Sequence, residues 1–175
     1  MKSSLYLLVI FMAFSLSINA QNQFVGVKTC VMCHKKVEQG EQLKIWEESS
    51  HSKAFETLKS EEATKIAGGN AFEKEECLIC HATAFNVDAS LLGKNFKVEQ
   101  GVQCETCHGA GSEYKSKSIM QDHAKSVAAG MTEYADEAAI EKQCRTCHNE
   151  KSPTYKEFDF KKMWAKIAHP VPAKG

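Results

Sequence analysis

The feature that most constrains this chain is a five-residue motif, Cys-x-x-Cys-His, which occurs four times. The copies occupy residues 30–34, 77–81, 104–108 and 144–148, and the chain's eight cysteines all belong to them. In a c-type haem attachment site the two thiols bind the porphyrin covalently, and the adjoining histidine binds the iron. The sequence therefore predicts four haem c groups, attached through Cys30, Cys33, Cys77, Cys80, Cys104, Cys107, Cys144 and Cys147 and ligated by His34, His81, His108 and His148.

Three other interpretations of the cysteines explain the pattern less well. A zinc site would pair two Cys-x-x-Cys knuckles per metal ion and would not require a histidine after every second cysteine. A thioredoxin-like site would stand beside a βαβ pattern, and the sequence shows none. A disulfide framework would suit an exported protein but would leave the four histidines unexplained.

The chain has seven histidines, and three of them lie outside the motifs: His51, His123 and His169. Each follows a haem motif in a stretch that could be helical. His51 shares a helical face with Phe55 and Leu58, and His169 ends an amphipathic run before Pro170. A lone histidine on an apolar face is often a core residue. Three of them in a protein with four haems indicate distal iron ligands instead.

Three distal histidines cannot serve four irons. The remaining iron either binds another side chain or keeps an open sixth position. Met120, Met131 and Met163 are the methionine candidates, although a methionine at helical spacing is more often core filling. An open position would allow a small ligand to bind the iron.

The N-terminus predicts export. Lys2 precedes an apolar run from Leu5 to Ile18, followed by Asn19 and Ala20, which is the pattern of a secretory signal peptide over residues 1–20. The run is shorter than the roughly 20 residues that span a bilayer. We therefore expect cleavage, a mature domain at residues 21–175, a periplasmic or secreted location and no stable membrane span. An uncleaved anchor is the alternative.

Composition predicts a mainly α fold of helices and loops wrapped around the four haems, with little regular sheet. Apolar residues cluster beside the motifs, so the macrocycles should form most of the core. Alternation of the kind seen in strands is brief, at most around residues 95–98. Lysine plus arginine and aspartate plus glutamate both number 22, and no basic stripe suggests nucleic-acid binding.

Further details of the sequence resemble the cytochrome c-554 family over nearly all of residues 21–175. The similar segments follow the first motif, surround the third and close the chain, and they include Trp46, His51, Ala54, Gly101, Val102, Glu105, Gly109, Gly111, Asp122, His123, Phe158, Asp159, Phe160, Met163 and His169. The resemblance implies a mainly helical fold with haems in stacked pairs. It also implies three bis-histidine haems and a five-coordinate haem on the second motif, with His81. In the family pattern His123 pairs with the first haem, His51 with the third and His169 with the fourth.

Two functions fit these features. The first is electron transfer between periplasmic redox proteins, for which bis-histidine ligation is suited. The alternative is a haem enzyme that binds or reduces a small nitrogen oxide at the open haem. Nitrite reduction in multihaem proteins is associated with a Cys-x-x-Cys-Lys haem, and that motif is absent from this sequence. We therefore expect an electron carrier in which no residue is catalytic.

Overall fold

Short helices separated by turns make up residues 21–170, the part of the chain that the computed structural model describes. The longest of these helices have eight residues. The α-helices are α1 (Val27–His34), α2 (Gln42–Glu48), α3 (Ala54–Thr57), α4 (Glu61–Ala67), α5 (Glu75–His81), α6 (Cys104–His108), α7 (Lys117–Met120), α8 (His123–Ala128), α9 (Glu137–Cys144) and α10 (Phe160–Ile167). Single 3₁₀ turns connect them at Val37–Gln39, Ser50–Lys53, Ala71–Glu73, Ala89–Leu91 and Val98–Gln100.

Four of these helices begin at a side chain that caps the first turn. Ser60 precedes α4, and Asp122, Asp136 and Asp159 precede α8, α9 and α10. Each of these side chains accepts a hydrogen bond from the backbone N–H three residues further on, which satisfies one of the unpaired donors at a helix N-terminus. These capping side chains thus determine where the four helices start.

The mainly α prediction is confirmed. Within residues 21–170 no strand forms, and Phe24 and Leu92 make an isolated parallel bridge. The brief alternation at residues 95–98 does not produce a strand, because a turn at Asn95 leads into the 3₁₀ turn at Val98–Gln100.

The protein core in the described region is small. Its buried apolar residues are Val25, Val27, Phe55, Leu58, Ala71, Ala82, Tyr114 and Phe160. Two large apolar side chains that are mostly exposed, Met32 and Ile79, lie between the cysteines of the first and second motifs. An apolar group seated on each motif would shield such side chains from water.

A pair of contacts ties the His51 segment to the chain just before α6. The indole Nε1 of Trp46 donates to the carbonyl of Val102 at 2.8 Å, and the N–H of Val102 donates to the carbonyl of His51 at 3.0 Å. Gly101 has a φ of +71°, and a Cβ at this position would lie 2.6 Å from the His51 carbonyl oxygen. This close approach therefore requires glycine.

No helix within residues 21–170 is long and apolar enough to cross a bilayer. The predicted signal peptide, residues 1–20, lies outside the described residues.

Candidate haem-binding site

Three of the four Cys-x-x-Cys-His motifs lie on helices, and the fourth lies mostly in a turn that follows a helix. The first three motifs lie wholly in α1, α5 and α6, and the fourth begins at the last residue of α9. Residues three apart lie on the same face of a helix, so the two thiols of a helical motif can reach one macrocycle. None of the eight cysteines forms a disulfide in this structure. The described residues also contain no cluster of three or more histidine, cysteine or acidic side chains that would hold a metal ion.

Cysteines of different motifs lie close together. Hydrogen bonding to the Cys104 thiol, together with burial, raises the pKa of Cys30 far above its ordinary value. Burial and the neighbouring Cys147 raise the pKa of Cys80 to about 11. Burial and the neighbouring Cys144 raise the pKa of Cys107 to about 11. The first motif therefore adjoins the third, the third adjoins the fourth, and the fourth adjoins the second.

Two pairs of imidazoles lie at the separation that two ligands of one iron atom would have, with their planes inclined at 49° and 56°. The ring centroids of His51 and His148 are 6.1 Å apart, and those of His108 and His169 are 6.0 Å apart. Two metal–nitrogen bonds of about 2 Å each, plus about 1 Å from each nitrogen to its ring centre, add up to about 6 Å. The residues present therefore fit a six-coordinate iron between each pair.

Three of these imidazoles, those of His51, His108 and His148, have lowered pKa values, which favour the neutral form that can bind a metal. Burial, with smaller contributions from the nearby His169 and His34, lowers the pKa of His108 to about 4. Burial also lowers the pKa of His51 and of His148, with the other ring of the pair contributing for His51 and His81 contributing for His148. A neutral imidazole keeps a nitrogen lone pair for the iron.

Backbone carbonyls fix the orientation of two of the rings. The Nδ1 of His81 lies 2.7 Å from the carbonyl oxygen of Ala54, and the Nδ1 of His169 lies 2.7 Å from that of Ile167. An Nδ1–H that donates to a carbonyl leaves Nε2 unprotonated and turned away, which is the usual arrangement of a metal-bound histidine.

The pairing differs from the one that the family resemblance implied. His51 faces His148 of the fourth motif instead of His108 of the third, and His169 faces His108 instead of His148. The physical reason for the second pair is that α10 packs against α2, which brings the end of α10 beside the first and third motifs.

His123 is not brought to a motif histidine in this structure. It is the first residue of α8, its side chain is 67% exposed, and its Nδ1 lies 3.7 Å from a carboxylate oxygen of Glu133. Within residues 21–170, His34 and His81 have no second imidazole facing them in the way that His108 and His148 do. The assignment of His123 as a distal ligand remains a prediction.

The three methionines that are candidates for a sixth iron ligand lie in the surroundings of packing or surface residues. The sulfur of Met120 lies 3.9 Å from the Ser126 hydroxyl, and Met163 is an exposed residue of α10. Met131 is half-buried in the loop that follows α8.

Sequence reasoning missed the role of Phe158. Its ring stacks on that of His148 with centroids 4.5 Å apart and planes 11° apart. The guanidinium of Arg145 covers the same ring at 5.6 Å and pairs with Glu141. An aromatic residue ten positions after a haem motif carries no recognisable signal, because the contact depends on how the loop after the motif folds back.

The helical fold and the haem-binding motifs define the class of protein: a small, mainly α cytochrome of the c type. The family model described as cytochrome c554 and c-prime matches residues 29–109, which contain the first three motifs and His51. The cytochrome c-554 of Nitrosomonas europaea is 26% identical over 151 aligned residues, which cover 75% of this chain. The chain is therefore similar to the cytochrome c-554 family, and the family model covers its first three motifs.

The chain spans 60% of the length of that relative. No solved structure matches the chain. This similarity, together with the Cys-x-x-Cys-His motifs, supports covalently bound haem c.

Proposed function

We propose that this protein is a tetrahaem electron carrier, with one haem c on each motif, that passes single electrons between exported redox proteins. The observation that carries the proposal is the contact between motifs, since each motif adjoins at least one other through its cysteines. Haems attached at these cysteines would form one continuous line in the order first, third, fourth, second. A bound haem supplies one-electron chemistry at its iron, and the protein sets spacing, burial and ligands.

The two facing imidazole pairs support bis-histidine ligation of two haems. We assign His148 and His51 to the fourth haem, and His108 and His169 to the third. His34 is the proximal ligand proposed for the first haem and His81 that for the second. We retain His123 as the proposed distal ligand of the first haem, which requires its ring to leave the contact with Glu133.

The proposed location is the periplasm or the cell exterior, reached through a signal peptide at residues 1–20, with residues 21–175 as one tetrahaem domain. Haem c is attached outside the bacterial cytoplasm, and the N-terminal pattern of a basic residue followed by an apolar run supports export.

The test is a count of haems and of their spin states. The mass of the purified holoprotein is expected to exceed that of residues 21–175 by four haem groups. Low-temperature electron paramagnetic resonance of the oxidised protein is expected to show three low-spin haems and one high-spin haem. Fewer covalent haems, or a spectrum dominated by high-spin iron, would contradict the proposed carrier.

A second candidate function rests on the second motif. His81 has no facing imidazole among the described residues, while its Nδ1 is already held by the Ala54 carbonyl. An iron ligated by His81 alone would have an open position for a small nitrogen oxide. Binding there would become enzymatic only with proton delivery and product release.

A further inference from the structure

Glu105 is a buried carboxylate inside the third haem motif. It stands between Cys104 and Cys107 in sequence, and its exposed fraction is 3%. Its two oxygens accept three backbone hydrogen bonds, each 2.8 Å long, from the N–H groups of Val25, Gly26 and Gly111. A buried carboxylate with this many donors can remain ionised, because the donors replace the water it has lost.

The chain around Glu105 is shaped to accept it. Val25 and Gly26 immediately precede α1, so the carboxylate lies at the positive end of that helix. A Cβ at Gly111 would lie 3.1 Å from Oε1 of Glu105, so a larger residue there would crowd the carboxylate. These contacts join the third motif to a segment about 80 residues earlier in the chain.

The same contacts connect two haem attachment helices. The helix α1 carries the first motif and α6 carries the third, and the thiols of Cys30 and Cys104 meet between them. The negative charge of Glu105 contributes, after burial, to raising the pKa of the neighbouring Tyr114 above its ordinary range. The same charge also contributes, as a smaller cause, to raising the pKa of Cys30 in the first motif, and it acts in the same direction on the pKa of Cys104 in the third.

We propose that Glu105 is a positioning residue that sets the first and third haem attachments relative to each other, and that its buried negative charge lowers the reduction potential of those two haems. This inference rests on the proposed tetrahaem function. A ferric haem carries one more positive charge than a ferrous haem, so a nearby fixed negative charge favours the ferric state.

The test is a potentiometric titration of the holoprotein carrying Glu105→Gln. This variant removes the charge and keeps the length of the side chain. We expect two of the four midpoint potentials to shift to higher values and the other two to change less. The matched control is Glu113→Gln, an exposed carboxylate in the same loop region, for which all four potentials are expected to stay near those of the native protein.

The haem count separates this inference from the proposed function. Four covalent haems with unchanged potentials in Glu105→Gln would overturn the role of Glu105 and leave the tetrahaem carrier intact. Fewer than four haems in the native protein would instead overturn the carrier.

If Glu105→Gln does not assemble, a measurement on the native holoprotein replaces it. In protein labelled with ¹³C-glutamate, the infrared difference between the oxidised and reduced states is expected to contain a label-sensitive band of an ionised glutamate. A difference spectrum without such a band would overturn the electrostatic role.

Discussion

At the scale of single residues, His51 has three properties of an iron ligand. It is half-buried, burial lowers the pKa of its imidazole, and its ring centroid lies 6.1 Å from that of His148. We expect His51→Ala to convert one low-spin haem of four to the high-spin state, while all four haems remain attached. Electron paramagnetic resonance and the mass of the holoprotein measure both effects. An unchanged spin count would identify His51 as a core histidine.

The same replacement at His123 tests the ligand that the structure leaves exposed. If His123 serves the first haem, His123→Ala will also convert one low-spin haem to high-spin, and the double variant with His51→Ala will convert two. If His123 is only the partner of Glu133, the spin count will stay the same, and the first iron will have a different sixth ligand.

The sequence identifies candidate haem-binding residues but does not indicate which histidines lie close together. The cysteines and the histidine of one motif lie within five consecutive residues, so a haem attachment site can be predicted from the local sequence. The pairing of His51 with His148, and of His169 with His108, joins positions far apart in the chain. It depends on long-range packing such as that of α10 on α2, which has no local signature.

At the scale of elements, α6 is the helix on which the first, third and fourth motifs meet. Cys104 adjoins Cys30, and Cys107 adjoins Cys144. Replacing Cys104 and Cys107 together with serine should remove one covalent haem and lower the melting temperature of the whole domain, because the small protein core cannot fill the space. Mass spectrometry and thermal unfolding monitored by circular dichroism check this.

The matched control is the same double replacement in the second motif, whose cysteines adjoin those of the fourth motif alone among the described residues. Replacing Cys77 and Cys80 also removes one haem, but from a motif with fewer neighbours, so the loss of melting temperature should be smaller. Equal losses in the two variants would contradict the central position of α6.

The helices illustrate why element boundaries were only partly predictable. The final helix, Phe160–Ile167, matches the amphipathic run expected before Pro170. The sequence predicts that the stretch around His51 could be helical, whereas the structure has a 3₁₀ turn there between α2 and α3. The Ser49 hydroxyl donates to the carbonyl of Trp46 and the Ser52 hydroxyl to that of Glu47, which competes with continuation of the helix.

At the scale of the whole molecule, the open position proposed for the second haem has a direct consequence. The reduced protein should bind carbon monoxide or nitric oxide at one haem in four, visible as a change in about a quarter of the haem absorbance. With excess reductant, turnover of nitrite, hydroxylamine or nitric oxide should be slow, whereas reduction of all four haems should be fast. Rapid repeated turnover that is abolished by blocking the second haem would favour the enzyme over the carrier.

Basic and acidic residues are equal in number over the whole chain, but they are distributed unevenly along the line of motifs. Near the first motif, Lys28, Lys94 and Lys97 line one cavity, and none of them forms an ion pair with a residue in the described region. At the other end, Glu75 and Glu76 open the helix of the second motif, but Lys74 and Lys151 lie beside the same motif, so the charge there is mixed. The first end should therefore attract negatively charged partners more strongly than the second end.

Salt dependence tests this difference. Oxidation of the reduced protein by ferricyanide should slow as ionic strength rises, because the screening length falls from about 30 Å at 0.01 M to about 10 Å at 0.1 M. Lys28→Gln and Lys94→Gln should lower both the rate at low salt and its salt dependence. Lys161→Gln, an exposed lysine of α10, serves as the control, and an equal effect there would assign the attraction to net charge alone.

The order in which the motifs meet has a consequence for biosynthesis. The second motif is made before the third and the fourth, yet its contact is with the fourth, the last to leave the ribosome. A nascent chain therefore holds its second motif without this neighbour until the fourth motif has been synthesised, whereas the first motif can meet the third earlier. The contact between the second and fourth motifs is consequently a late event in the assembly of this chain.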